Sequence, residues 1–327
     1  MLLAASVSLV VTAPSCADEA VVFDSDASFD SASPPPTPDA AGLDDVTDAG
    51  SPATTTFRLA HLSPDVGRID VCYRTSPSDA FTGPMIAASG NTDASVSVDA
   101  TPLADAGDSG PERAGLSFPN VTTWFTVQTS GAFEIAVASA TDGSCSTPRA
   151  RQRITLDPGK RSTVALLGLF GADAGAAASL DIVAFTDDIT PAPGAARTRF
   201  IHAALGTSKV VPAPSYAVKA VDGPTIVSLS SRVDAKKASA PTTVDPSIDT
   251  LGYHVGQPLA LGSLHLEGIN VAAIDAGPAL WSSPTQPLDM SASSTHTGFI
   301  VTEPNGKLAV LWCNDTTPAA SCTLLRP

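Results

Sequence analysis

Phe57-Arg58-Leu59-Ala60-His61-Leu62 and Arg68-Ile69-Asp70-Val71-Cys72-Tyr73 are two β-prone runs on either side of the turn Ser63-Pro64-Asp65. In the second run Ile69, Val71 and Tyr73 fall on one face and Asp70, Cys72 and Arg74 on the other. That period of two marks a half-buried antiparallel strand. In the first run Phe57, Leu59 and His61 share one face, while Arg58, Ala60 and Leu62 share the other. Ser63-Pro64-Asp65 is turn chemistry, because Pro presets φ and Asp can bond its own backbone.

The same texture continues outward. Short apolar runs at Ser95–Val98, Thr122–Gln128, Ala132–Ala138, Gln152–Leu156, Ser162–Leu167 and Asp181–Phe185 are separated by Gly, Pro, Asp and Ser, which predicts strands joined by turns. No stretch keeps a helical apolar period, and Gly171–Ser179, interrupted by Gly175, reads as a loop. The order then recurs. Arg58-Leu59-Ala60-His61 is matched by Arg199-Phe200-Ile201-His202, and Val183 to Pro191 is echoed by Val310 to Pro318, which pairs Asp188 with Asp315. Such repetition indicates duplication. The expected fold class is all-β: two tandem antiparallel β-sandwich domains, over 57–192 and 197–327, the second divergent.

The chain before Phe57 is different in kind. Leu2–Ala13 is apolar but too short to cross a bilayer, which needs roughly twenty residues. It reads as a signal segment ending at Cys16, with lipid attachment there as the expectation and ordinary cleavage near Ser15 as the alternative. Residues 17–56 carry nine acidic and no basic residues among Ala, Ser and Pro, the composition of an extended disordered linker. The net charge of −15 therefore falls mostly outside the sandwiches. The absence of any Arg/Lys cluster argues against nucleic acid as a partner. The expected location is the cell envelope, lipid-anchored in the outer membrane, the periplasm or at the surface, with secretion as the alternative.

With Cys16 set aside, Cys72, Cys145, Cys313 and Cys322 remain, an even set in an exported context. Pairing Cys72 with Cys145 and Cys313 with Cys322 keeps each bridge inside one domain. Loop closure would make them worth roughly 4 and 2.5–3 kcal/mol. None of these cysteines has the spacing of a zinc site.

The stretch Phe57 to Asp65 followed by Ile69-Asp70-Val71, together with Phe185-Thr-Asp-Asp-Ile-Thr-Pro-Ala-Pro-Gly194 before the second Arg-x-x-His, resembles the bacterial family catalogued as domain of unknown function 4397. The resemblance implies exported, often lipid-anchored, Ig-like β-sandwiches in tandem, and it implies no activity. The second copy departs from the pattern after His202: Ala203-Ala204-Leu205-Gly206 stands in place of Leu62-Ser63-Pro64-Asp65.

The candidate binding or structural residues are Arg58, His61, Ser63, Asp65, Asp70, Arg199 and His202. A His among apolar strand residues reads first as a packed core group; the rival arrangement exposes His61 beside Ser63 and Asp65. Arg58 and Asp70 are expected to pair across neighbouring strands, a contact worth a few tenths to about 1 kcal/mol. His254, His265 and His296 lack acidic neighbours at ligand spacing, and Asp187-Asp188 reads as a strand end rather than a cation site. No nucleophile elbow, metalloprotease helix, phosphate loop or EF-hand is present. The reading is a non-enzymatic binding or structural module that needs no metal or cofactor. Its partners are a membrane, through lipid, and an envelope protein or a glycan. The alternative is a secreted hydrolase whose residues meet only in the fold.

Overall fold

In the computed structural model the described residues are 54–86, 115–128, 131–170, 179–206, 215–222, 224–259, 265–271, 281–283, 288, 290–316 and 321–327. Cys16, most of the 17–56 segment, the run at Ser95–Val98 and nearly all of Gly171–Ser179 lie outside them. The first half contributes β1 (Thr54–His61), β2 (Ile69–Arg74), β3 (Asn120–Val121), β4 (Phe125–Gln128), β5 (Ala132–Ser139), β6 (Ala150–Thr155), β7 (Arg161–Leu167) and β8 (Asp181–Asp187). The second contributes β9 (Ala196–His202), β10 (Ser215–Asp222), β11 (Thr225–Asp234), β12 (Tyr253–Gly256), β13 (His265–Asn270), β14 (Trp281–Ser282), β15 (Thr295–Thr302), β16 (Leu308–Asn314) and β17 (Ser321–Leu325). The fold is all-β, built from stacked sheets.

Among the described residues four sheets form, and none of them mixes the halves. The order β3-β1-β7-β8, with β4 also on β1, and the order β2-β5-β6 make up the first half; β12-β9-β15-β16-β17 and β11-β10-β13-β14 make up the second. The large sheets are not purely antiparallel as expected. β1 runs parallel to β7 and β9 parallel to β15. Parallel neighbours need a long crossover, and here the chain passes through the other sheet of its half before returning.

Alternation along β1 sorts its side chains into two different cores. Phe57 and Leu59 join Phe133, Ile135 and Val164 between the two sheets of the first half. Ala60 and Leu62 point the other way and join Ile201, Phe299, Val301 and Leu311 from the second half. A third cluster around Phe200, Tyr216, Trp281 and Trp312 fills the second sandwich. The large sheet of each half is thus covered on both faces, and residues 50–327 form one compact unit. Every residue of β9 and of β15 is buried as a result.

Close approach sets one residue inside this stack. Gly298 on β15 lies opposite Phe200 on β9 and Trp312 on β16. A Cβ there would come within 2.7 Å of the Phe200 ring and 3.3 Å of the Val310 side chain, so any larger residue would force the Phe200 ring to shift. The cysteine pairs stay within their halves: Cys72 is bonded to Cys145 with Cα atoms 6.1 Å apart, and Cys313 to Cys322, directly opposite on β16 and β17, at 4.0 Å.

Because the halves share a core, they should unfold together. A single thermal or urea transition is expected, and Phe299→Ala should shift that whole transition by about 3–5 kcal/mol, the usual range for a buried aromatic. Two separated transitions would show that the shared core does not couple the halves.

Candidate functional site

The polar residues singled out on β1 and β9 converge where the large sheets face each other. Arg58 is fully buried on the face it shares with Ala60 and Leu62. Its Nη1 donates to Asp315 Oδ1 of the second half at 2.6 Å, and its Nε donates to Thr163 Oγ1 on the adjacent β7 at 2.8 Å. Thr163 in turn donates to Asp187 Oδ2 at 2.7 Å. The second half answers in kind. Arg199 is bonded to Asp187 of the first half and donates to the Thr186 carbonyl at 2.8 Å, while Thr297 donates to Asp315 Oδ2 at 2.6 Å. Each half therefore offers an arginine to the other half's aspartate.

The strand registers make this correspondence explicit. Arg58 lies beside Thr163 in the parallel pair β1–β7, and Arg199 beside Thr297 in β9–β15. Thr163 then faces Phe185, and Thr297 faces Cys313. Phe185 thus corresponds to Cys313, and Asp187, two residues on, corresponds to Asp315. The sequence echo that matched Asp188 with Asp315 is displaced by one residue. Asp188 bonds elsewhere, since its carboxylate pairs with Arg197 at 2.8 Å and caps the Thr190 N–H at 2.9 Å.

An aromatic ring covers each guanidinium. Arg58 lies 4.9 Å from the Trp124 ring centre, and Arg199 lies 4.6 Å from that of Tyr253, which also stacks on Arg197. Burial works against the charge on Arg58, but Asp315 and Asp187 outweigh it and hold its pKa above the ordinary value. The same opposition, with Asp187 as the charged and hydrogen-bonded neighbour, raises that of Arg199. Burial pushes the Tyr253 phenol up, so it stays neutral. Two arginines and two aspartates in a dry interior sum to zero charge, and this set holds sheets together.

Arg58 does not pair with Asp70. β2 belongs to the opposite sheet, and Asp70 Oδ1 instead accepts from the N–H groups of Val71 and Ile86, at 2.7 and 2.9 Å. This explains why the polar face of β2 is buried rather than solvated: chain around Ile86 covers Asp70, and the disulfide covers Cys72.

His61 and His202 end equivalent strands, opposite Leu166 and Ile300, and both are fully buried. The exposed arrangement of His61 is therefore excluded. Its Nε2 lies 2.6 Å from the Gly67 carbonyl, and its Nδ1 is approached by the Ser63 N–H at 3.4 Å. In the tautomer this requires, Nε2 donates and Nδ1 accepts, so both nitrogens serve backbone. Burial lowers the pKa of His61 to about 4, although the Gly67 carbonyl and Asp65 pull the other way. Ser63 donates to the Gly168 carbonyl at 2.6 Å, with Asp65 Oδ1 at 3.0 Å as a second acceptor. Asp65 Oδ2 accepts from the Phe170 N–H at 2.9 Å. Ser63, His61 and Asp65 are close, but the Ser63 hydroxyl bonds Gly168 and Asp65 rather than the imidazole, which Ser63 meets through its backbone N–H. They pin the turn after β1 to the end of β7. His202 lies against the Tyr216 ring, with centroids 4.7 Å apart, in a half that lacks the Ser-Pro-Asp turn.

Sequence reasoning missed Thr163, Thr297, Trp124, Tyr253 and the role of Asp187. No local signal marked the two threonines: Thr163 follows Arg161-Ser162, and Thr297 ends the polar stretch Ser293-Ser294-Thr295-His296. No group of three or more His, Cys, Asp or Glu that could hold a metal occurs among the described residues. The cavity lined by Tyr216, Val218, Trp281 and Val310 is apolar and about 10 Å³, room for one water at most.

A family model described as Domain of unknown function (DUF4397) matches residues 94–212. That span includes the junction from Phe185 to Gly194 and Arg199-x-x-His202, and it leaves β1 and β2 outside. No curated protein matches the chain. Solved structures that resemble it include family 41 carbohydrate-binding modules from streptococcal virulence factors, described for alpha-glucan recognition, at 10% identity and a TM-score of 0.22 over 82% of this chain and 97% of the other. The Bacillus anthracis TIE protein aligns at 7% identity and a TM-score of 0.19, over 84% of this chain and 44% of its own. Scores this low carry no inference about ligands.

Asp315→Ala strands Arg58 without its closest carboxylate and should destabilise the fold by about 3–5 kcal/mol in urea titration. Combined with Asp187→Ala the loss should be non-additive by at least about 0.5 kcal/mol, because both aspartates share Arg58. A second test uses pH. His61 is neutral when folded down to about pH 4 but gains a proton near pH 6.5 when unfolded. The unfolded chain therefore binds more protons between those values. The stability held by neutral His61 is complete above pH 6.5 and is lost as pH falls toward 4, by about 3 kcal/mol. His61→Gln should remove that part of the slope.

Proposed function

We propose that this chain is a non-catalytic cell-envelope module, held to a membrane by lipid on Cys16, that binds or braces an envelope protein or a glycan. The observation that carries this reading is the fate of its chemically capable residues. Arg58, Arg199, Asp187 and Asp315 neutralise one another between the sheets. His61 bonds backbone at both nitrogens, and Ser63 bonds the Gly168 carbonyl. A hydrolase would need such a serine to reach an imidazole nitrogen that is free to accept its proton. The lipid anchor and the acidic linker are supported by sequence alone: the apolar run that ends at Cys16, and nine acidic residues without a base over 17–56. Anchoring needs at least two acyl chains for stable attachment.

Fractionation separates the parts of this proposal. The unaltered protein should sediment with membranes, and Cys16→Ser should move it to the soluble fraction; membrane association that survives the substitution would refute the anchor. The soluble Cys16→Ser form should then be retained by purified envelopes without releasing peptide, acyl or sugar fragments. Fragment release that disappears in Ser63→Ala or His61→Ala would replace the binding role with a hydrolase.

A further inference from the structure

The hairpin between β15 and β16 turns at Glu303-Pro304-Asn305-Gly306-Lys307. The Gly306 N–H donates to the Glu303 carbonyl at 2.8 Å, which closes a four-residue turn, and the Glu303 N–H donates to the Lys307 carbonyl at 2.8 Å. Pro304 presets the first central φ, and Gly306 follows the turn at φ +84°. A hairpin of this kind calls for glycine at that left-handed position. Asn305 is therefore followed by the residue type with no side chain to shield the next main-chain nitrogen. Pro304, Asn305 and Lys307 are exposed. The Asn305 amide is nevertheless held in place, because its Oδ1 accepts from the Lys307 N–H at 2.8 Å.

From this turn we propose a covalent modification site: Asn305 cyclises onto the Gly306 nitrogen without an enzyme and opens to aspartate or isoaspartate. The Gly306 nitrogen gives its proton to solvent and attacks Asn305 Cγ. The N–Cγ bond forms, the Cγ–Nδ2 bond breaks, and ammonia leaves after taking a proton from solvent. The product is a cyclic succinimide. Water then adds to one of its two carbonyls. Cleavage at Cγ restores the ordinary main chain with an aspartate, whereas cleavage at the main-chain carbonyl routes the chain through Cγ as isoaspartate. Nothing is oxidised or reduced, and a neutral amide becomes a carboxylate. Negative charge develops on Oδ1 as the nitrogen attacks, so the Lys307 N–H already sits on the oxygen that needs a donor. The Gly306 N–H must first leave the Glu303 carbonyl, an opening confined to an exposed turn. Asn120 and Asn314 are placed differently. Asn120 is buried and precedes β-branched Val121. Asn314 precedes Asp315, whose N–H donates to the Thr295 carbonyl at 2.8 Å inside the sheet. Isoaspartate lengthens the main chain of a turn that sets the β15–β16 register, next to Glu303, which is buried and bonded to Arg326 at 2.8 Å. The inference does not need the envelope role.

The test follows the soluble Cys16→Ser form of the full chain, held folded at mildly alkaline pH for days. Peptide mapping by mass spectrometry should find the mass gain of NH exchanged for O at residue 305, split between two isomers. The intact protein should gain an acidic species on ion exchange at the same rate, and that rate should rise with pH because the attacking nitrogen must lose its proton. Asn305→Gln keeps a side-chain amide but needs a larger ring, and both signals should be lost. A parallel sample in urea separates sequence from fold. Conversion at residue 305 in the unfolded chain with none in the folded chain overturns the inference. So does conversion at Asn120 or Asn314 ahead of Asn305, or an acidic species that forms unchanged in Asn305→Gln. Membrane fractionation does not depend on any of these outcomes, so the two readings fail separately.

Discussion

Two arginines and two aspartates buried between the large sheets are the constraint on which the rest of the structure depends. Arg58 reaches Asp315, and Arg199 reaches Asp187, so each half satisfies a charge that the other has buried. Neither arginine could be placed in a dry interior alone, since an unpaired buried ion costs several kcal/mol. With both pairs formed, and with Thr163 and Thr297 donating to the remaining carboxylate oxygens, the charges balance and every carboxylate oxygen is hydrogen-bonded, while Arg58 Nη2 and Arg199 Nε have no such partner among the described residues.

Such a set is a weak source of net stability, because hydrophobic residues of the same volume can do as well. Its consequence here is positional. A shift of one residue along β1 or β9 would turn the arginine away from the shared face and put Phe57 or Phe200 in its place. The surrounding apolar cluster, with Leu62, Phe299 and Leu311, supplies the attraction. The charged pairs decide which registers and which relative placement of the halves can use it. Trp124 and Tyr253 finish the arrangement by covering the guanidinium faces from each side.

The residues near the ends of β1 and β9 extend the same logic. His61, Ser63 and Asp65 join the turn after β1 to Gly67, Gly168 and Phe170. They belong to the scaffold, although their side-chain types suggest catalysis.

Local chemistry determined much of this in advance. Period-two alternation and turn residues predicted β1, β2 and β4 to β8 within a few residues, because each signal lies in a few consecutive positions; the run at Ser95–Val98 lies outside the described residues, and the two-residue β3 was not foreseen. Cysteine order indicated which bridges stay local. The matched Arg-x-x-His motifs marked two strands that prove equivalent in register. Only the tertiary structure decided the rest. That Arg58 meets Asp315 rather than Asp70 depends on which sheets stack, and the two residues are 257 positions apart. The one-residue displacement between Asp187 and Asp188 came from strand register, which a sequence echo does not encode. The shared core was hidden for a related reason: Ala60, Leu62 and Ile201 have the composition of any sandwich face, and nothing local says that a second sheet, rather than solvent or a loop, will cover it.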